Sequence, residues 1–263
     1  MQAFSRLEQH PQASASTAED LEHAYSSTRA SAEPLKDERE TRIWSAEDTR
    51  GLISFYKEYR IPGSRRLFSG AARSRAAREF RALLAIDLAG LPVARPLWYG
   101  EIKRGPILDR SVLVTLGLGA VSPLPDWLRS GPSSEVVLQT CLDLGALARS
   151  LHDLGFGHFR MQAKNFMVLE GEAPSLHMID APYTCRWSHP APNRIRAVDL
   201  EDLCGSHSVF TPEQVEAVME GYRGDGCPSG SLDGFHPGSR GRWGQKLRRI
   251  AYYLGAIWSG HRP

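Results

Sequence analysis

The sequence predicts an α+β protein in which a sheet-rich first half gives way to a helical second half. Three observations predict it. Short runs of β-branched and aromatic residues, broken by Gly and Pro, dominate residues 41–117. From Glu135 to Asp153 the apolar residues Val137, Cys141, Leu144, Ala148 and Leu151 recur at three- and four-residue spacing, the stripe of a buried helix. Of 263 residues, 41% are hydrophobic and 24% charged, which allows one large core or two small ones and excludes a fibrous or wholly disordered chain.

Taken in order, residues 1–40 are rich in Ala, Ser, Glu and Gln, and predict a disordered or loosely helical arm because they bury too little to offset the entropy of ordering. Thr41-Arg42-Ile43-Trp44 and Leu52 to Tyr59 read as two strands around the turn Ser45 to Gly51. Pro62 and Gly63 end the second strand. The basic stretch from Arg65 to Arg75 then leads into a helix over Ala76 to Leu84 that Gly90 stops. Pro96 to Gly100 reads as extended chain, and Ser111 to Leu116 as a further strand.

In the second half Gly155 and Gly157 end the long helix. Phe166 to Leu169 and Leu176 to Asp180 form a hairpin around the turn at residues 171–174. Thr211-Pro212-Glu213-Gln214 opens a helix through Tyr222, with Thr as N-cap, Pro at the first helical position and Gln completing a capping box. Beyond Asp233 no acidic residue occurs, and Arg240, Arg242, Lys246, Arg248 and Arg249 alternate with Trp243, Tyr252, Tyr253 and Trp258.

Thirty-two Lys and Arg against 30 Asp and Glu leave a formal charge of +2, too small an excess to point to nucleic acid. No apolar run reaches the roughly 20 residues that span a bilayer, and no signal pattern opens the chain, so a cytoplasmic protein is expected. Cys141, Cys185, Cys204 and Cys227 contain no CxxC pair and read as reduced thiols.

The order strand, strand with a Lys, helix with a Glu, strand, long helix, His-containing loop and hairpin ending in Asp is a protein-kinase-like layout. The segments Phe55 to Tyr59, Arg78-Glu79-Phe80, Gly90 to Leu97, Leu113-Val114-Thr115, Leu151 to His158, Asn165-Phe166 and Met178-Ile179-Asp180 together make the chain resemble the Kdo/WaaP lipopolysaccharide kinase family over about residues 50–225. The resemblance implies an α+β, bilobal fold of the protein-kinase type. A sheet-rich N-lobe would span 41–117 and a helical C-lobe 118–225, flanked by the 1–40 arm and a basic aromatic tail at 226–263. It implies ATP and Mg²⁺ as ligands, bound between the lobes, and a sugar hydroxyl of the lipopolysaccharide core or lipid A region as acceptor.

On that resemblance Lys57 is the cation for nucleotide phosphates and Glu79 the carboxylate that holds it. Asn165 and Asp180 are the two magnesium ligands, hard oxygens suited to a hard cation. His158 opens the connecting loop and bonds internally, and an Asp in the Asp199 to Asp202 stretch braces the lobe, by pairing with Arg194 or Arg196.

Two departures follow from the same comparison. Aligning His158 to Asn165 with the kinase pattern HRDxxxxN puts Arg160 where the Asp that accepts the substrate proton belongs, and a guanidinium stays protonated with a pKa above about 12. Either another carboxylate such as Asp153 substitutes and a slow kinase results, or the domain is a pseudokinase that binds a nucleotide or partner without catalysis. The turn Ser45 to Gly51 has one glycine where kinases carry GxGxxG, which leaves phosphate contact to Gly51 and neighbouring amides, with Arg65, Arg66, Arg73 and Arg75 nearby. His152, His177, His189 and Cys185 lack metal-ligand spacing. The tail admits two readings: a helix packed on the C-lobe, or an interfacial helix at an anionic membrane surface on the inner face of the inner membrane.

Overall fold

The structure, a computed structural model, describes residues 4–12, 16–61, 73–171, 173–205, 208–224 and 250–257. Arg65, Arg66, Cys227 and most of the tail, including Arg240, Trp243 and Trp258, lie outside the described residues. The chain divides into two units: Met1–Leu84 with Ala94–Gly119, and Ala85–Val93 with Ala120–Pro263.

The first unit is built on a six-stranded antiparallel sheet. Its strands are β1 (Arg6–Gln9), β2 (Lys36–Asp37), β3 (Thr41–Glu47), β4 (Ile53–Arg60), β5 (Pro96–Arg104) and β6 (Ile107–Leu116), in the spatial order β1-β5-β6-β4-β3-β2. Helix α1 (Ala18–Ser31) precedes β2, and α2 (Arg75–Leu88) follows β4. The two sequence-predicted strands are β3 and β4, paired from Thr41↔Tyr59 to Glu47↔Ile53. The predicted helix is α2, whose Phe80 is fully buried with its ring 5.1 Å from that of Tyr99.

Residues 1–40 depart from expectation by supplying β1, α1 and β2. Thr17 and Asp20 cap α1 reciprocally, so that two otherwise unpaired amides are satisfied locally. The few apolar residues of this segment meet large rings from the sheet. Tyr25 is 5% exposed and lies 6.0 Å from Trp44, while Phe4 lies 5.4 Å from Tyr25 and 5.6 Å from Trp98. Composition underrates such a segment because its burial comes from the partners' surface as much as from its own.

The second unit contains β7 (Val121–Pro123), α3 (Leu124–Arg129), α4 (Ser134–Asp153), β8 (Phe156–Gly157), a 3-10 turn (Ala163–Asn165), β9 (Phe166–Leu169), β10 (Ser175–Met178), β11 (Cys185–Arg186), α5 (Asn193–Cys204), α6 (Pro212–Arg223) and α7 (250–257). The expected hairpin is β9–β10, and β7 adds a third strand to it. The stripe read from sequence is the buried face of α4, and α6 opens with the expected Thr211–Gln214 capping box.

Helices α4 and α6 cross at van der Waals limit because each puts a glycine at the crossing. A Cβ on Gly145 would stand 2.0 Å from the carbonyl oxygen of Val218, and one on Gly221 would stand 1.9 Å from that of Leu142. A mid-helix glycine costs about 1 kcal/mol in propensity, here offset by close backbone approach. Helix α7 takes the packed alternative: Ala256 is buried with Phe159, Cys185 and Ile195. Among the described residues no helix is long and apolar enough to cross a membrane.

Candidate active site

Alternation along β4 sends Lys57 and Tyr59 to the face covered by α2, and Glu58 to the face covered by α1. Lys57 Nζ lies 2.9 Å from Glu79 Oε1, with the Glu79 side chain fully buried and that of Lys57 21% exposed. The Tyr59 hydroxyl donates to the other carboxylate oxygen of Glu79. Glu79 is thus held from two sides, which fixes the Lys57 amine at the end of a defined side chain. Arg75 lies 4.5 Å over the Tyr59 ring, so its cation joins the same group.

The turn between β3 and β4 is closed by its own acid. Asp48 Oδ1 accepts the amides of Arg50 and Leu52 at 2.8 and 2.9 Å, its carbonyl accepts that of Gly51 at 3.0 Å, and its own amide donates to Leu52. These hydrogen bonds hold the Asp48 carboxyl below its ordinary pKa, so an anion already occupies the amides expected to meet phosphate. The kinase order also places the phosphate-covering loop two strands before the Lys, not one. Counting back from Lys57 on β4 reaches the β2–β3 turn. There Glu38 and Thr41 exchange backbone hydrogen bonds across Arg39 and Glu40, a tight hairpin without glycine. The Asp48 bonds take up the Ser45–Gly51 amides, and the kinase order points to the β2–β3 turn for the role expected of them. The β2–β3 turn gives no signal in the sequence because β2 is two residues long and leaves no alternation to read.

In the second unit the loop from His158 to Asn165 is anchored by Asp199 of α5. Fully buried, Asp199 accepts the amides of His158 and Phe159 at 2.6 Å each and lies 3.1 Å from His152 Nε2, whose Nδ1 lies 2.8 Å from the Tyr222 hydroxyl. These bonds hold Phe159 at φ +61°, a left-handed conformation costly for a bulky side chain. The brace is therefore made to backbone amides and His152. Arg196 pairs instead with Asp153 at 2.8 Å, and Arg194 lies over Tyr252.

His158 Nδ1 accepts the Arg160 amide at 3.2 Å. Burial pushes its pKa below the ordinary value, against the pull of Asp199 and Asp180, and keeps the ring neutral. Arg160 returns the fold of the loop through its carbonyl, which accepts Asn165 Nδ2 at 2.8 Å. That bond orients the Asn165 amide and leaves Oδ1 without a protein partner among the described residues. The Asn165 carbonyl accepts the Ile179 amide at 2.9 Å, which ties the turn to the residue before Asp180. The Arg160 guanidinium lies 5.7 Å over the Tyr183 ring.

Lys57 and Glu79 are therefore in contact in the first unit, and Asn165, Arg160 and the Asp180 segment are linked in the second. Asp153 is engaged by Arg196. Tyr59, Tyr183 and Arg194 were not singled out as site residues, although Tyr183 stands three positions after Asp180 and Tyr59 two after Lys57, spacings a register argument could have used.

The sequence model of the lipopolysaccharide kinase (Kdo/WaaP) family matches residues 19–222. The chain belongs to that family. The match begins within the first turn of α1, so residues 19–40 of the segment expected to be a loose arm fall inside it. Among solved structures, WaaP in complex with acyl carrier protein superposes with a TM-score of 0.56 at 17% identity, covering 97% of both chains. The Rio2 kinase–ADP/Mg²⁺–phosphoaspartate complex from Chaetomium thermophilum gives 0.50 at 17% identity, covering 89% of this chain and 75% of that one. No curated protein sequence matches significantly. The Kdo/WaaP-family chain has a protein-kinase-like fold, with a sheet-rich N-terminal region.

Proposed function

We propose that this Kdo/WaaP-family protein uses ATP to phosphorylate a sugar hydroxyl of the lipopolysaccharide core or lipid A region, slowly and without the usual carboxylate base. The observation that carries the reading is the Lys57–Glu79 pair at 2.9 Å, an ammonium held by a buried carboxylate inside a family whose members are kinases. Lys57 would anchor nucleotide phosphates. Asn165, with Oδ1 uncommitted, and the Asp180 carboxylate are oxygen donors of the kind Mg²⁺ takes. Bound there, the ion would neutralise charge on the phosphate oxygens. On this reading the chain acts in the cytoplasm, close to the inner membrane face where its acceptor is presented.

Proton removal is the weak step. Arg160 cannot accept a proton, and it lies over Tyr183. Because phosphoryl transfer passes through a loose transition state, positioning and charge neutralisation sustain turnover even where no side chain takes the hydroxyl proton. A second reading, a pseudokinase that binds nucleotide without transfer, is favoured by the glycine-free hairpin at Glu38–Thr41 together with Arg160. Transfer of labelled phosphate from ATP to a lipid A–core acceptor separates the two. Lys57→Met and Asp180→Ala should each lower it by about 10²–10³. Binding of an ATP analogue with no transfer by the wild type would establish the pseudokinase, and absence of both would end the nucleotide reading.

A further inference from the structure

We infer that Arg29, Arg60, Arg104 and Arg110 form a binding site in the first unit for a phosphate monoester that carries a small apolar group. The site lies on the α1 face of β4, opposite the face that carries Lys57, and stands whether or not the nucleotide reading does. A cavity of about 170 Å³ is lined by these four guanidiniums and by two carboxylates, Glu58 and Asp109. Asp37, which does not line it, takes Arg60 at 2.9 Å, and the cations still outnumber the acids. Like charges gathered at a half-buried surface repel one another, and a dianion seated among them relieves that cost.

The cluster is fixed at its base and open at its rim. Glu58, fully buried as a side chain, accepts Arg29 Nε at 2.7 Å and Arg60 Nε at 3.0 Å, so each guanidinium is engaged along one edge and keeps N–H groups beyond it. A planar guanidinium steadied by a buried acid presents paired donors in set directions, which phosphate oxygens match. Arg110 donates to Asp109 at 3.0 Å. Arg104 reaches the same carboxylate at 3.6 Å, with 64% of its side chain exposed, and is the cation least committed to the fold. A second cavity of about 190 Å³ shares Arg29 and Arg110 and is otherwise lined by Tyr25, Ser26, Ala30 and Ile102, between α1 and the strands β5 and β6. It offers an apolar contact beside the charged one. A bare anion would use the first cavity alone, so the apolar group is what defines the ligand class.

The full chain is titrated with inorganic phosphate, phenyl phosphate and phenol, followed by calorimetry and by NMR of the Arg29 Nε–H and the Ile102 methyls. Phenyl phosphate should move both sets of signals and bind at least fivefold more tightly than inorganic phosphate, with no binding of phenol. Arg104→Gln and Ala30→Glu change exposed residues on the walls of the two cavities. Each should weaken phenyl phosphate about tenfold and leave the melting temperature of the chain alone unchanged, whereas Lys57→Met should leave the affinity within twofold. Signals that stay in place, affinity within twofold of wild type in either wall variant, equal affinity for the two phosphates, or loss of binding in Lys57→Met would each overturn the site. The same ester group occurs on soluble molecules and on lipid headgroups, and vesicles of phosphatidylcholine with and without phosphatidic acid separate the two. Sedimentation that needs both phosphatidic acid and Arg104 supports the site with a lipid headgroup as its ligand; binding of phenyl phosphate without such sedimentation supports it with a soluble ester.

Discussion

The two candidate groups have diverged from the kinase pattern to different degrees. In the first unit the Lys57–Glu79 pair is intact and reinforced by Tyr59. In the second unit the loop has a complete scaffold, with Asp199 holding two amides and Asn165 tied to the Arg160 carbonyl, but carries Arg160 where the kinase pattern HRDxxxxN has Asp. Backbone anchoring and side-chain chemistry are therefore separable. A loop can hold its strained conformation through Asp199 whatever side chain stands at residue 160, because the bonds that shape it use main-chain groups.

That separation is broken most severely by Asp199→Ala. Removing the carboxylate leaves the His158 and Phe159 amides and His152 without their partner in a fully buried site, and Phe159 loses the bonds that impose its positive φ. A loss of about 3–5 kcal/mol is expected, measured by urea denaturation followed through the second unit. An unchanged midpoint would mean that packing of Phe159 alone shapes the loop.

Arg160→Asp tests the other half of the comparison. If the scaffold is complete and the base is what is missing, restoring a carboxylate should raise phosphate transfer by about 10², the lower end of what a general base contributes. Melting temperature should change little, since the Arg160 backbone contacts remain. A variant that folds, binds the ATP analogue and shows no gain would place the defect elsewhere, with the hairpin at Glu38–Thr41 the next position to alter.

What the sequence made legible follows the same division between local and distant causes. Helix α4 and the Thr211–Gln214 box were readable because their signals are spacings within one segment. The Lys57–Glu79 contact was legible through the family resemblance, although the third member, Tyr59, was not. The N-terminal elements were missed because their rings meet partners from other segments, Tyr25 meeting Trp44 and Phe4 meeting Trp98 far along the chain. The role of α7 was left open between two readings because cations with Trp and Tyr suit a membrane surface and a protein groove alike. For residues 250–257 the packing of Ala256, Tyr252, Tyr253 and Ile257 with Phe159 and Ile195 supports the groove reading.

The smallest effect concerns the α1 face of the first unit, where the comparison predicts acid sensitivity that belongs to the sheet and not to the catalytic loop. Glu58 is fully buried as a side chain, and its carboxyl is held down to about 2 despite burial, which opposes ionisation; hydrogen bonds from Arg29, Tyr25 and Arg60 outweigh it. A carboxyl whose pKa is lower in the folded state gives stability that is complete above its ordinary value near 4.5 and is lost as the pH falls toward 2. The contribution is on the order of 2 kcal/mol once screening at the half-exposed guanidiniums is allowed for. Glu58→Gln should therefore lower stability at pH 7 and flatten its decline between pH 4.5 and 2, read as the midpoint of denaturation against pH. Hydrogen exchange should show the loss in β4 and α1 while the His158–Asn165 loop keeps its protection. A variant whose acid limb matches that of the wild type would show that α1 is held by its rings alone.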